Sequence, residues 1–175
     1  MDREATVSLI PGKYTVRAEK GMEFGYAQKS IQFGSEPARG DVDVPRFFDM
    51  NAAGWYSGDL HIHRAPEEMP LLVLAEEFNI APDITRHVGG TRGPPPYTAV
   101  HLKPVDAMHI VSLQDQEVER LFKGHGAVDL LNTPEAVEDK LADLYPMDIE
   151  FCRSARRQGG FVEGEKPIWK NVSVT

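Results

Sequence analysis

The sequence predicts an α/β fold preceded by an N-terminal all-β segment, and three observations carry that prediction. Residues 1–50 hold short runs in which apolar and polar side chains alternate with period two, divided by Pro and Gly. Residues 51–175 alternate apolar strand-like runs with helical periodicity. The change of pattern falls at Asp49 to Gly54, which sets the boundary between the two parts.

In the first part, strands are expected at Ala5–Ile10, Lys13–Glu19, Met22–Phe33 and Gly40–Pro45. Pro11-Gly12, Gly21 and Gly34 to Pro37 separate them, and Tyr14, Val16 and Ala18 alternate with polar neighbours as a half-buried strand requires. A sandwich domain uses about seven strands. Four imply a partial β-sandwich.

In the second part, Ser57–His63 reads as the first strand, followed by a helix over Pro70–Asn79 with Leu71, Leu74, Ala75 and Phe78 on one face. Pro70 suits its first turn. Further strands are expected at Ala81–Val88, Asp106–Leu113, Ala127–Leu131 and Phe161–Glu165. The three consecutive prolines of Gly89–Pro96 make that stretch a loop. Helices are expected over Pro134–Leu144, capped by Thr133, and from about Pro146 to Gln158, stopped by Gly159-Gly160. Strands alternating with helices predict a parallel sheet with crossover helices, and the number of strands fits the N-terminal half of a barrel, so a fragment is expected at both ends.

Composition narrows the function classes. With 41% hydrophobic and 26% charged residues the chain has the composition of a soluble globular protein, and a net charge of -8 disfavours a phosphate backbone as partner. No apolar run approaches the ~20 residues of a membrane span. The expected partner is a small-molecule substrate, with no nucleic acid and no membrane; the oligomeric state is not legible. Residues 1–10 lack the apolar stretch of a signal peptide, so a periplasmic or extracellular location requires a leader outside this sequence. The single Cys152 excludes an internal disulfide, and it lies in an expected helix with no neighbouring His, which argues against a thiol nucleophile. No Gly-x-Ser-x-Gly elbow or phosphate-cradling glycine loop is present.

The chemistry concentrates elsewhere. Side chains two apart on a strand share a face, so Asp59, His61 and His63 are expected to project together, placing two imidazoles side by side with a carboxylate next to them. Imidazole nitrogen binds Zn, Fe, Ni and Cu, and a nearby carboxylate can orient the ring. His87 stands at the end of the next strand, where α/β folds gather functional groups. Gln114 to Arg120 supplies acids just past another strand, with Glu117 able to bridge two metals and an exposed acidic turn as the competing reading. Glu163 and Glu165 alternate on the last strand, and Glu165, at its end, is the better candidate. His101 follows the proline loop, His125 lies between two glycines, and His109 fits a satisfied core histidine.

The stretch Gly54-Trp55-Tyr56-Ser57-Gly58-Asp59-Leu60-His61-Ile62-His63-Arg64 resembles the PHP (polymerase and histidinol phosphatase) superfamily of metallohydrolases, and looks closest to its carbaryl-hydrolase-like branch (CehA/McbA). In that branch a sandwich segment with a Gly-Lys-Tyr-Thr-Val type strand, here Gly12 to Val16, comes before the Trp-x-x-Gly-Asp-x-His-x-His strand. The resemblance implies a distorted (β/α)7 barrel, here its N-terminal half over residues 51–175, with two or three metal ions at the C-terminal strand ends. Position by position it implies that His61 and His63 open the ligand set and that Thr85-Arg86-His87 stands for a Thr-Asp-His element, with Arg86 in place of the usual aspartate. Glu117 matches the bridging glutamate, with Glu119 in reserve, and Glu165 stands where a histidine ligand is common. Asp59 would orient an imidazole. Zn is the first expectation from the ligand types, then Mn or Fe. The function implied is hydrolysis of an ester, amide, carbamate or phosphoester bond by metal-activated water. The alternative is a non-catalytic binding or structural fragment with an incomplete metal site.

Overall fold

The computed structural model describes residues 4–88, 102–119, 127–137 and 145–165, with the side chains of Val88 and Glu165 excepted. It is a mixed α/β chain, richer in strand than in helix. The proline loop, His101, His125 and residues 138–144 of the expected helix lie outside the described residues.

The N-terminal part forms a single antiparallel hairpin, β1 (Gly12–Ala18) on β2 (Ala27–Phe33). Tyr14, Val16 and Ala18 are half-buried and alternate with exposed neighbours, as their pattern required. Two expected strands do not form. Ala5–Ile10 is exposed throughout, with Ile10 at 79%, and a lone strand with no neighbour leaves its backbone to water. Gly40–Pro45 leads only to one bridge, Arg46 to Phe24, and Met22–Tyr26 is turn and bridge rather than strand. The hairpin is tied to the rest through Gly21, whose N–H donates to Ala75 O at 3.0 Å, and through a Lys20–Glu77 ion pair.

A short 3-10 turn spans Asn51–Ala53, within the stretch where the sequence pattern changes. Helix α1 (Met69–Glu76) has Pro70 in its first turn and buries Met69 and Val73 against Ile62, Ala81 and Val111. Leu74 and Phe78 pack on this core as expected and Leu72 joins them, whereas Leu71, expected on the same face, is 62% exposed. Five strands form the main sheet: β3 (Ile80–Val88), β4 (Leu102–Pro104), β5 (Ile110–Glu119), β6 (Ala127–Leu131) and β7 (Phe161–Glu165). Their order is β3-β5-β6-β7, with β4 also on β5. Among the described residues the sheet is open.

The sheet is not all parallel. Only β3 and β5 pair in parallel; β5–β6, β6–β7 and β4–β5 are antiparallel. For β5 and β6 the physical reason lies in the length of β5. Its expected end was Leu113, but it runs to Glu119 and leaves only residues 120–126 before β6. A parallel crossover needs a dozen or more residues, whereas an antiparallel return needs only a few. Residues 134–137 are bend and coil rather than the expected helix start.

Helix α2 (Asp148–Arg157) begins with Asp148 and Glu150 and ends with Arg156 and Arg157, each charge placed favourably on the helix dipole. Phe151, Cys152 and Ala155 pack on Val118, Val128 and Leu130 of the sheet. Burial, then the nearby Asp148, raises the Cys152 thiol pKa, which suits an inert core position rather than a nucleophile. No described helix is long and apolar enough to cross a membrane.

Candidate metal centre

The segment expected as the first strand is held to β3 by two isolated parallel bridges, Gly58 to Ile80 and Ile62 to Asp83. Gly58 is required there, since an added Cβ would stand 2.6 Å from the Ile80 carbonyl oxygen. Between the bridges the chain bends. Asp59 is exposed, and its Oδ1 accepts the His61 amide N–H at 3.1 Å. That local bond competes with strand pairing. Asp59 therefore shapes the backbone, and the imidazole-orienting role expected of it falls to another residue.

That residue is Asp129. Its buried Oδ2 accepts from His61 Nδ1 at 2.8 Å, and the Ile84 carbonyl accepts from His63 Nδ1 at 2.9 Å. Both acceptors require a proton on Nδ1, so in the neutral rings each Nε2 carries its lone pair. The two Nε2 atoms face each other at 2.8 Å, with the rings edge-on at a centroid distance of 4.6 Å. Two lone pairs at that distance repel unless a proton or a cation lies between them. Two imidazoles on one tetrahedral Zn would hold their nitrogens ~3.3 Å apart, a small opening from this geometry.

Glu117 completes the cluster. Its Oε2 lies 3.5 Å from His63 Nε2 and 3.2 Å from His87 Nδ1, and the His87 ring stacks on His63 at 4.7 Å. Ligand atoms of His61, His63 and Glu117 all fall within 4.8 Å of one another, so this group can hold a metal ion. Glu117 is buried within β5 rather than exposed in an acidic turn, and Glu119 is exposed at the end of that strand. His109 is buried, with Nδ1 2.7 Å from Asp106 Oδ1, as a satisfied core histidine should be.

Sheet register explains how these residues meet. His87, Glu117, Asp129 and Glu163 are successive cross-strand partners on β3, β5, β6 and β7, so they form one row across the sheet. Glu117 and Asp129 are both almost fully buried, and adjacent like charges in such a place need cations nearby. The histidines, or a metal ion between them, meet that need. Glu165 pairs with Ala127, two positions beyond the row, and it is Glu163 that occupies the row.

The row faces the imidazoles because both parallel strands slip. Ala81 and Val111 pack on α1, yet His87 and Glu117, six positions further along each strand, reach the imidazole cluster. An unbroken strand returns residues six apart to the same face. The β3–β5 register passes over Gln114 and then over Thr85, and Gln114 takes φ 66. These irregularities turn His87 and Glu117 away from the helices and toward the site.

Two buried acids lie outside the sequence motifs. Asp129 stands within Ala127–Leu131, where one acid in an otherwise apolar strand is itself a signal of a buried, partnered charge. Asp83 is the second; it is fully buried beside β5, its Oδ1 accepts the Arg64 amide N–H at 3.4 Å, and burial raises its pKa to about 6, with Asp115 adding to the rise.

No known protein family, curated protein or solved structure matches the chain.

Proposed function

We propose that the chain carries part of a PHP-type metallohydrolase, acting on an ester, amide, carbamate or phosphoester bond through metal-activated water. One observation carries the reading: two imidazoles with fixed tautomers aim their Nε2 lone pairs at a common point beside a buried carboxylate. A divalent ion there supplies a Lewis acid that lowers the pKa of a bound water toward ~7 and polarises the scissile bond. The donor set favours Zn, then Mn or Fe, with two or three ions in a complete site of this kind.

The residues have distinct tasks. Asp129 and the Ile84 carbonyl hold the His61 and His63 rings in place, which preorganises the ligands and raises their basicity. Glu117 contributes the carboxylate ligand, and His87 stands against it as a further nitrogen donor. A pocket of about 400 Å³ opens beside His63 and His87 for a substrate.

Elemental mass spectrometry on purified protein, wild type and His61→Ala/His63→Ala, tests the reading. It expects at least about one equivalent of Zn, Mn or Fe in the wild type and none in the double variant, with metal-dependent turnover of 4-nitrophenyl acetate or bis(4-nitrophenyl) phosphate. Stoichiometric metal without turnover of any ester or phosphoester supports the non-catalytic fragment instead. No uptake of metal even after reconstitution overturns both the centre and the hydrolase.

A further inference from the structure

Arg64 follows His63 directly and lines the pocket that opens beside His63 and His87. Its amide N–H is fastened to Asp83 on β3, so the start of the side chain is anchored to the sheet. The side chain itself is exposed, and among the described residues its guanidinium makes no hydrogen bond, ion pair or ring contact. Four other arginines, Arg17, Arg39, Arg46 and Arg153, each sit on a carboxylate, while among the described residues Arg156 reaches only the Gly160 carbonyl and Arg157, at the end of α2 and away from the pocket lining, pairs with no acid. In a chain with 27 Asp and Glu against 19 Lys and Arg, acids are abundant, yet Glu68, in the same pocket lining, is not ion-paired with Arg64. A guanidinium is a rigid fork whose geometry matches carboxylate and phosphate oxygens two at a time. Thr85, also in the lining, adds a hydroxyl-bearing side chain to the same wall.

We propose that Arg64 determines specificity at this site: the substrate bears an anionic group, a carboxylate or a phosphate, which Arg64 grips while the bond to be cleaved lies over the imidazole cluster. The proposal rests on the hydrolase reading only for what happens to the substrate; capture of the anion is a property of the pocket. Arg64 is then a binding residue and not a ligand of the metal. Its removal weakens anion binding and leaves metal content untouched.

Calorimetric titration of inorganic phosphate and of succinate tests this, on the metal-free and the metal-loaded protein, for wild type, Arg64→Ala and Arg64→Lys, with metal content measured on each. The expected result is saturable binding of at least one anion, weakened tenfold or more in Arg64→Ala and less in Arg64→Lys, which keeps the charge without the fork. The preferred anion distinguishes phosphate from carboxylate. Equal binding by wild type and Arg64→Ala, or no binding of either anion in either form, overturns the proposal. Arg64-dependent anion binding in a protein that takes up no metal sinks the hydrolase reading and leaves the anion pocket standing. Should Arg64→Ala fail to fold, Arg64→Gln retains the stem and gives the same comparison.

Discussion

The two faces of the main sheet are built from alternate residues of the same strands, yet they do opposite things. The face under α2 carries Val118, Val128 and Leu130 against Phe151, Cys152 and Ala155, an apolar contact whose one titratable group, the Cys152 thiol, is kept protonated by burial. The other face carries Glu117, Asp129 and Glu163 in one row, next to three histidines. Apolar burial stabilises the first at ~25 cal/mol per Å². Packing acids side by side costs stability on the second, and that cost falls only when cations arrive. Stability and function are thus separated by a single pleat, and substitutions on the two faces should have different signatures.

The largest effect on stability is expected on the helix face. Phe151→Ala removes a side chain 2% exposed from the α2 contact and should destabilise the protein by about 3–5 kcal/mol in urea unfolding. Metal bound per folded molecule should stay unchanged. A loss of metal in the fraction that remains folded would show that the faces are coupled.

On the site face, Asp129→Asn keeps the shape and can still accept from His61 Nδ1, but it removes a buried negative charge. We expect metal affinity to fall by about tenfold to a hundredfold in competition with a chelator. Metal-free stability should be unchanged or higher, because the like-charge neighbour Glu117 is relieved. Lower stability without metal would mean that Asp129 mainly holds the fold.

A smaller effect sharpens the comparison at Asp83, whose pKa is raised to about 6 by burial. The sign follows from linkage: the folded state holds its proton more tightly than the unfolded chain does. The group's contribution is therefore fully present below about pH 4 and is lost as pH rises through about 6. Asp83→Asn should stabilise the protein by about 1–2 kcal/mol at pH 8 and flatten the dependence between pH 4 and 6. Thermal melts across that range check it, and an unchanged slope would reject buried Asp83 as its source.

Much of the site was legible before folding was known. His61 and His63 share a face because extended backbone has period two, and Ile62 between them does pack on α1. His87 lies at a strand end, where the third imidazole was expected, and it reaches Glu117. The acids proved harder. Glu117 was expected just past a strand and is found inside one, and Asp59 was expected beside an imidazole but binds a backbone amide. The first difference arises because pairing with β3 and β6 extends β5 through its polar residues, and the second because the Asp59 carboxylate bonds a local amide where the chain bends.

By itself, then, the sequence determined the strand and helix segments with strong periodicity, the acidic balance of the surface and the identity of the paired imidazoles. These depend on neighbours along the chain, where side-chain spacing and turn residues act locally. Tertiary structure alone decided that Asp129, not Asp59, orients His61, and that Glu163 shares the row with Glu117. It also decided that slips at Thr85 and Gln114 turn His87 and Glu117 to the site. Register between strands is set by contacts far apart in sequence, and one residue of slip exchanges the two faces of a strand.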